Sequence, residues 1–261
     1  MSPARTAHPG PAVLPQQRSA ELPSVGQVSE AAPLSLASPL PARARSAWQS
    51  AKDCLTIPLR ALTLFENDRW GLSSLASDRF YYVAREVRGY CLDVGCGRRN
   101  RFVTEFLHGH GKGIDVYPYN GLSAEQVLED LTQFPFPTGM FDSVTLIANL
   151  NHIPASQRDQ ELAEAFRCLK PGGNLIITMG HPVVEIIGHK LVHWYDRLLG
   201  TRHDVDGERG MHHEESYYVR EAEIRRRLTR AGFTRIAKKR FVTQWGLNAL
   251  YVGWRPAHAP S

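Results

Sequence analysis

The feature that most constrains the fold of this chain is a repeated order of apolar run, glycine turn and helical segment. This order begins near Gly89 and continues to Trp254. The apolar runs are four to eight residues long, which is typical of strands. Strands that alternate with helices are typical of a mainly parallel sheet with helices on both faces. The sequence therefore predicts an α/β fold.

Seven strands are predicted, and the last two are expected to form an antiparallel hairpin. Such a sheet with its helices forms a single Rossmann-like domain. The predicted strands are residues 90–94, 112–116, 126–129, 143–148, 174–179, 235–242 and 247–254. The predicted helices are residues 73–87, 102–108, 156–169 and 220–231, preceded by a helical stretch over 48–65 that Pro58 interrupts.

Composition separates a tail from the folded part of the chain. Residues 1–45 contain 8 of the 17 prolines and no aromatic residue. Such a segment buries too little apolar surface to offset the entropy of ordering it, so we expect it to be disordered. Residues 46–255 are expected to form the domain. Its predicted parts are a helical cap (46–88), a ligand-binding core (89–180), a substrate-side insertion or lid (181–219), and the last helix with the closing hairpin (220–255).

Several classes of protein are excluded by composition. The four cysteines form no CxxC pair, which argues against a disulfide scaffold or a thiolate zinc site and favours the reducing cytoplasm. No apolar run approaches the roughly 18 residues of a membrane span. His189 and His193 are four residues apart, but Lys190 replaces the glutamate of a zinc protease motif. No metal site is predicted.

A basic segment lies near the end of the chain. Residues 220–240 hold nine Lys and Arg residues against Glu221 and Glu223. Such a cluster could attract RNA or anionic lipid. A solvated helix face is its usual meaning, and no recognised nucleic-acid motif accompanies it. We therefore expect a small-molecule substrate, with an RNA substrate as a lesser alternative.

Glycines and polar residues follow the predicted strands where parallel sheets bind ligands. Gly95 and Gly97 follow the first strand and Asp115 ends the second, 20 residues after Gly95. Glycines let the backbone approach a ligand closely, and an acidic residue at this spacing suits a ribose diol. An NAD-dependent oxidoreductase shares this pattern. However, Asn100 stands where a dinucleotide fingerprint needs glycine, and Asp93 suits a ligand that carries positive charge.

Five sequence motifs follow one another in order along the predicted core. They are DVGCG (93–97), GIDV (113–116), EDL (129–131), FPFP with FD (134–137 and 141–142) and LKPGG (169–173). Together they resemble the motifs of the class I S-adenosylmethionine-dependent methyltransferases, in the type 11 branch that includes ubiquinone and menaquinone methyltransferases. The resemblance covers residues 89–179 and implies S-adenosylmethionine as cofactor. The family often has a third glycine at the position of Arg99, so this chain departs from it there.

The resemblance implies how the methionine end of the cofactor is held. Gly95 and Gly97 would pass under the methionine part, and Asp93 would help to hold its ammonium group. The carbonyl of Asn149 would accept a hydrogen bond from the same amine.

The resemblance also implies contacts to the adenosine end. Asp115 would accept hydrogen bonds from both ribose hydroxyls. Asp130 would bind the adenine amino group, and the backbone N–H of Leu131 would donate to a ring nitrogen.

Methyl transfer needs a base only when the acceptor must lose a proton. His152, just after the fourth predicted strand, is the candidate base, and the alternative is that it caps a helix or bonds a loop. The acceptor is expected to enter over residues 70–82, 182–199 and 212–218. Residues 182–199 carry an apolar stripe that could cover a lipid-like or aromatic substrate, rest weakly on a membrane surface, or pack on the sheet.

We therefore predict a cytoplasmic methyltransferase that methylates a small, partly apolar acceptor at oxygen or carbon. Two alternatives stay open at this point. One is an NAD-dependent oxidoreductase. The other is a non-catalytic module that binds the cofactor or associates with a membrane.

Overall fold

The computed structural model describes residues 45–63, 67–181 and 218–257, with the side chains of 62 and 63 left out. Every described residue belongs to one compact unit, Pro33–Ser261. The predicted disordered tail, apart from residue 45, lies outside the described residues. So do residues 182–217 of the predicted lid (181–219), which include its apolar stripe.

The described residues form one mixed sheet of six strands. The strands are β1 (Cys91–Val94), β2 (Gly111–Ile114), β3 (Phe141–Ile147), β4 (Leu169–Gly180), β5 (Thr234–Arg240) and β6 (Asn248–Trp254). Their order across the sheet is β2-β1-β3-β4-β6-β5. The first four strands are parallel, and β6 is antiparallel to β4 and β5. The predicted parallel sheet with a closing hairpin is confirmed.

Five α-helices are described, with four single turns between the strands. The helices are α1 (Ala47–Leu55), α2 (Ile57–Thr63), α3 (Leu75–Ala84), α4 (Arg158–Cys168) and α5 (Glu221–Arg230). The turns are a π turn (Phe102–Phe106) and 3-10 turns at Arg98–Asn100, Ala124–Gln126 and Val242–Gln244.

Alternating side chains along the strands divide the core into two layers. Cys91 of β1 packs with α3 and the π turn, whereas the next residue, Leu92, packs with α4 and α5. The same alternation is seen in β4, where Ile176 and Ile177 join opposite layers. Helices therefore cover both faces, as predicted, because each strand is apolar on both sides.

The predicted strand over 126–129 is wrong. Only Val127 pairs there, in a single parallel bridge to Asp115 beside the end of β2. The following residues, Glu129 and Asp130, are exposed, and ionised carboxylates favour water over the edge of a sheet. The described part of the sheet therefore has six strands rather than seven.

Two local predictions also differ from the structure. The helix expected over 102–108 is reduced to the π turn. The turn expected after α4 is a bulge inside β4, because the strand begins immediately at Leu169 and pairs with β3 there and again from Asn174. The residues between, including Gly172 at φ 81°, accommodate the extra length.

The helical cap is held to the sheet by a buried ionic network. Arg60 is fully buried and donates to the carbonyl oxygens of Ser73 (2.6 Å) and Asp53 (2.7 Å) and to the carboxylate of Asp78 (2.8 Å). Arg45 also pairs with the carboxylates of Asp53 and Asp78. The Asp78 carboxylate accepts a hydrogen bond from the hydroxyl of Thr243, in the turn after β5 (2.9 Å). The network thus joins the two ends of the domain.

Two aromatic residues expected near the substrate belong to the cap instead. Tyr82 stacks on Phe241, with ring centroids 4.2 Å apart, and its hydroxyl accepts the N–H of Thr243 (3.2 Å). Tyr81 packs edge-on against Phe106. Trp70, from the same predicted segment, is exposed.

Candidate cofactor site

A glycine loop follows β1 at the point where the strand order reverses between β2 and β3. Both Gly95 and Gly97 have positive φ, 74° and 64°, which favours glycine. A Cβ on Gly95 would lie 2.5 Å from Cγ of Asn149, whereas a Cβ on Gly97 would meet no atom within 4 Å. Gly95 is therefore required for packing, and Gly97 leaves an open stretch of backbone for a ligand.

Asp115 is fixed beside this loop by two backbone groups. Its Oδ2 accepts the N–H of Gly97 (2.9 Å), and its Oδ1 accepts the N–H of Tyr117 (3.0 Å). A carboxylate oxygen can accept two hydrogen bonds. Each oxygen therefore retains acceptor capacity, as binding of two ribose hydroxyls requires.

Asp93 is buried at the end of β1, next to Thr145 of the neighbouring strand β3. The Thr145 hydroxyl donates to its Oδ1 (2.7 Å). Burial raises the pKa of Asp93 to about 7; the negative charge of Asp115 acts in the same direction, and the Thr145 hydrogen bond opposes it. A cation bound nearby would favour the ionised form.

Asn149 closes the loop from the opposite side. Its side-chain amide donates to the carbonyl of Val94 (3.2 Å), which places it against Gly95. Its own backbone carbonyl accepts the N–H of His152 (2.8 Å), leaving one lone pair for the expected amine contact. His152 is half-buried in this tight turn, and its role as a base stays a prediction.

The two residues expected at adenine occupy different environments. Leu131 is buried in the core. Asp130 is exposed, and its Oδ1 accepts both the N–H (2.7 Å) and the hydroxyl (2.6 Å) of Thr132. These bonds lower the pKa of Asp130. It borders a shallow cleft of about 420 Å³ with Leu128 and Phe134. The adenine contacts stay predictions.

The loop brings together Asp93, Gly95, Gly97, Asp115 and Asn149, as the sequence predicted. Asp130 and Leu131 lie on the next segment, which runs past Asp115 at the Val127 bridge.

Sequence reasoning missed two polar residues of this site. Thr145 is the partner of Asp93, and the signal was a hydroxyl at the centre of the apolar strand 143–148. Asn100 is buried, and its Oδ1 has no hydrogen-bond partner within the described residues. This oxygen would lie 2.3 Å from a Cβ on Gly113, so the GIDV motif requires its glycine.

Arg99 stands at the position where the family often has a third glycine. Its backbone has φ 59° and ψ 13°, the left-handed conformation that glycine adopts without a steric penalty. The loop thus has a left-handed backbone at this position although its residue is not glycine.

Replacing Arg99 with glycine is expected to raise the free energy of unfolding by about 1 kcal/mol, because the steric cost of the left-handed backbone disappears. Urea denaturation measures the change. Arg99→Ala is the matched control, since it removes the same side chain and retains the strain. Equal effects of the two variants would contradict this explanation.

Two later motifs are structural. The Asp142 carboxylate accepts the N–H of Tyr90 (2.9 Å) and pairs with the ammonium of Lys170 (3.0 and 3.1 Å). A Cβ on Gly89 would lie 2.5 Å from the same carboxylate. The FD and LKPGG motifs therefore hold the beginnings of β3 and β4 together, at the opposite end of the strands from the glycine loop.

Five of the nine basic side chains in segment 220–240 form ion pairs with acidic neighbours, which supports its interpretation as a solvated helix face rather than a nucleic-acid surface. The ion pairs are Arg225–Glu221, Arg227–Asp159, Arg227–Glu223, Arg230–Asp159, Lys238–Glu221 and Lys239–Glu86.

The described ranges contain neither a membrane-spanning helix nor a cluster of metal-binding side chains. No helix there has the length and apolarity that a membrane span requires. No three His, Cys, Asp or Glu side chains there lie together as a metal site would need.

A protein-family model described as a methyltransferase domain matches residues 92–177, which include the glycine loop and both buried carboxylates. Residues 92–177 of this chain are thus similar to a methyltransferase domain. The resemblance seen in the sequence is thereby confirmed. It supports the predicted enzyme class, a methyltransferase, and the predicted cofactor, S-adenosylmethionine.

Curated relatives of this chain have modest identity to it. The ubiquinone/menaquinone biosynthesis C-methyltransferase UbiE of Brucella canis is 26% identical over 176 residues, which cover 65% of this chain and 58% of that protein. A probable chloroplastic tocopherol O-methyltransferase of Oryza sativa is 32% identical over 102 residues, 33% of this chain and 28% of that protein. The chain thus spans less than two thirds of the length of either relative.

Solved structures with a similar fold include two S-adenosylmethionine-dependent methyltransferases. The one from Methanosarcina mazei is 20% identical, with a TM-score of 0.46, and the match covers 68% of this chain and 98% of that one. The one from Archaeoglobus fulgidus is 12% identical, with a TM-score of 0.46, and the match covers 67% and 90%.

Proposed function

We propose that this chain transfers a methyl group from S-adenosylmethionine to a small, partly apolar acceptor at oxygen or carbon. One observation carries the proposal. Asp93 and Asp115 end adjacent parallel strands on either side of an open glycine loop, inside the segment that matches the methyltransferase domain.

The residues of the loop fit this cofactor. Asp93 is a buried carboxyl suited to the cationic ammonium group. Asp115 is oriented by Gly97 and Tyr117 so that both its oxygens can accept from the ribose hydroxyls. Gly97 offers open backbone beside them. When bound, S-adenosylmethionine supplies an activated methyl group, so the task of the chain is to hold the acceptor in line with it.

Orientation of this kind can lower the barrier by roughly 7–11 kcal/mol. A base is needed only where a hydroxyl or carbon acid must lose a proton, and His152 would supply it. One relative is a C-methyltransferase of ubiquinone/menaquinone biosynthesis and another a probable tocopherol O-methyltransferase. These relatives support an apolar acceptor and keep both oxygen and carbon as candidate atoms.

Calorimetric titration with S-adenosylmethionine and with NADH tests the cofactor first. We expect binding of the former alone, and the opposite result would favour an oxidoreductase. Transfer of labelled methyl groups to phenols, quinones and lipid extracts then tests the reaction. Binding without transfer to any of them would favour a cofactor-binding module.

Replacing Asp115 with asparagine is expected to raise the Kd for S-adenosylmethionine about 10- to 100-fold. The reason is the loss of one charge-assisted hydrogen bond to a ribose hydroxyl, since asparagine keeps one acceptor oxygen, and such a bond contributes about 1.5–3 kcal/mol. Calorimetry measures the change directly. Glu125→Gln, which removes an exposed carboxylate from the nearby turn, is the matched control. An unchanged Kd for the Asp115 variant would remove its assigned role.

A further inference from the structure

An exposed apolar surface covers the outer side of the helical cap. We call it the cap face and define it as the exposed side of α1 and α2 together with the turn Val242–Gln244 and Trp245. Trp48 is 71% exposed, Leu55 80%, Val242 70% and Trp245 58%. Adjacent large apolar side chains left in water in this way usually mark an interaction site.

The two parts of the cap face are joined by hydrogen bonds. The indole N–H of Trp245 donates to the carbonyl of Cys54 (2.8 Å), and the thiol of Cys54 contacts the carbonyl of Val242 (3.7 Å). Leu55 follows directly in the chain. The helices and the turn therefore present one continuous surface.

The exposed side of the helices carries no charge. The charged side chains of this stretch are directed elsewhere: Asp53 and Arg60 are buried, and the Lys52 ammonium donates to the carbonyl of Gly71 (3.1 Å). Apart from Ser46, the exposed residues between 46 and 59 are Ala47, Trp48, Ala51, Leu55, Pro58 and Leu59.

The rim of the cap face is basic. Arg240 lies beside the turn, with its Cδ 3.6 Å from the Cβ position of Gly246. Arg69 is exposed next to Trp70, itself 73% exposed, and the Lys52 ammonium lies near the same turn. The exposed acid nearby, Asp68, already accepts the N–H of Ser74 (2.8 Å). Cations therefore border an uncharged apolar centre.

We propose that the cap face binds the surface of an anionic lipid bilayer. An apolar helix side that enters the acyl boundary, with cations at the headgroups, is the arrangement of interfacial helices. Tryptophan is enriched at that depth. Pairing with a second copy is disfavoured, because it would bring the basic rims of two molecules together. The proposal does not depend on methyl transfer.

Co-sedimentation of the full chain with vesicles tests the proposal. We expect several-fold more binding to phosphatidylcholine vesicles that contain phosphatidylglycerol than to pure phosphatidylcholine, and weaker binding at high salt. Trp48→Ser and Leu55→Ser are each expected to reduce the partition coefficient about tenfold, since each removes a large apolar contact. Thermal denaturation verifies that both variants fold.

Two variants that each remove one positive charge distinguish the basic rim from cations elsewhere on the surface. Arg240→Gln is expected to weaken binding to the anionic vesicles, whereas Arg226→Gln, on the exposed side of α5, leaves it unchanged. Equal binding of wild type and Leu55→Ser to all vesicles would overturn the proposal. So would a dimer in sedimentation velocity that Leu55→Ser dissociates while vesicles stay unbound, because a second copy would then occupy the cap face.

Discussion

Replacing Asp93 with asparagine is expected to stabilise the ligand-free protein above pH 7 and to weaken S-adenosylmethionine binding at the same time. Burial and the charge of Asp115 raise the pKa of Asp93 to about 7, so above that pH the folded protein contains a poorly solvated carboxylate. Asparagine has no charge and can still accept from the Thr145 hydroxyl. The expected gain in the free energy of unfolding is about 1–3 kcal/mol at pH 8.

The sign of the pH dependence follows from the raised pKa. Between the ordinary value of 3.8 and about 7, the folded state binds a proton that the unfolded state has released. Asp93 therefore makes the protein less stable as pH rises through this window. The advantage of the Asp93→Asn variant is expected to shrink as pH falls from 8 to 5, and to vanish only below 3.8, where both states are protonated.

Cofactor affinity is expected to change in the opposite direction. In wild type it rises as pH passes through about 7, because the cationic ligand pairs with the ionised form of Asp93. The Asp93→Asn variant should bind more weakly and with little dependence on pH. Urea denaturation and calorimetry between pH 5 and 8 measure both quantities. A variant that is less stable than wild type at every pH would refute the explanation.

Replacing Arg60 with methionine is expected to lower the free energy of unfolding by about 3–5 kcal/mol. Methionine fills most of the volume but removes the guanidinium that donates to the buried Asp78 carboxylate and to two backbone carbonyls, so Asp78 keeps only its other partners, among them Arg45 and Thr243. Removal of one partner from a buried ion pair costs this much because the other charge stays in the interior.

Urea denaturation measures the loss, and Arg226→Met on the exposed side of α5 is the control, with an expected change within about 0.5 kcal/mol. The double variant Arg60→Met with Asp78→Asn should lose less than the sum of the single losses, because the carboxylate that lost the guanidinium is then also absent. Strictly additive losses would show that the two side chains act independently.

The site was predictable where its residues lie close together in the chain. Gly95 and Gly97 follow a strand by one to three residues, and Asp115 ends the next strand, so the motif itself carries their geometry. The parallel order of β1 and β2 then brings the carboxyl groups to one edge. At these positions the spacing of the residues and the topology of the sheet predict the same site.

Contacts between distant residues could not be predicted in the same way. Arg60 has the sequence context of an ordinary surface helix residue, and its burial depends on Thr243, 183 positions later. Thr145 becomes the partner of Asp93 only through the β1–β3 register. The wrongly predicted strand over 126–129 also depends on its surroundings. A short β-favouring run forms no ladder there, because Glu129 and the next residue, Asp130, are exposed carboxylates.

The ionic network of the cap also sets the order in which this protein can mature on the ribosome. Arg60 and Asp78 are translated well before Thr243, which lies 165 positions after Asp78 in the chain. Until Thr243 is made, the early ion pairs lack one of their hydrogen-bond partners, which weakens the docking of the first helices. These helices are therefore expected to dock fully only after the turn Val242–Gln244 has been made.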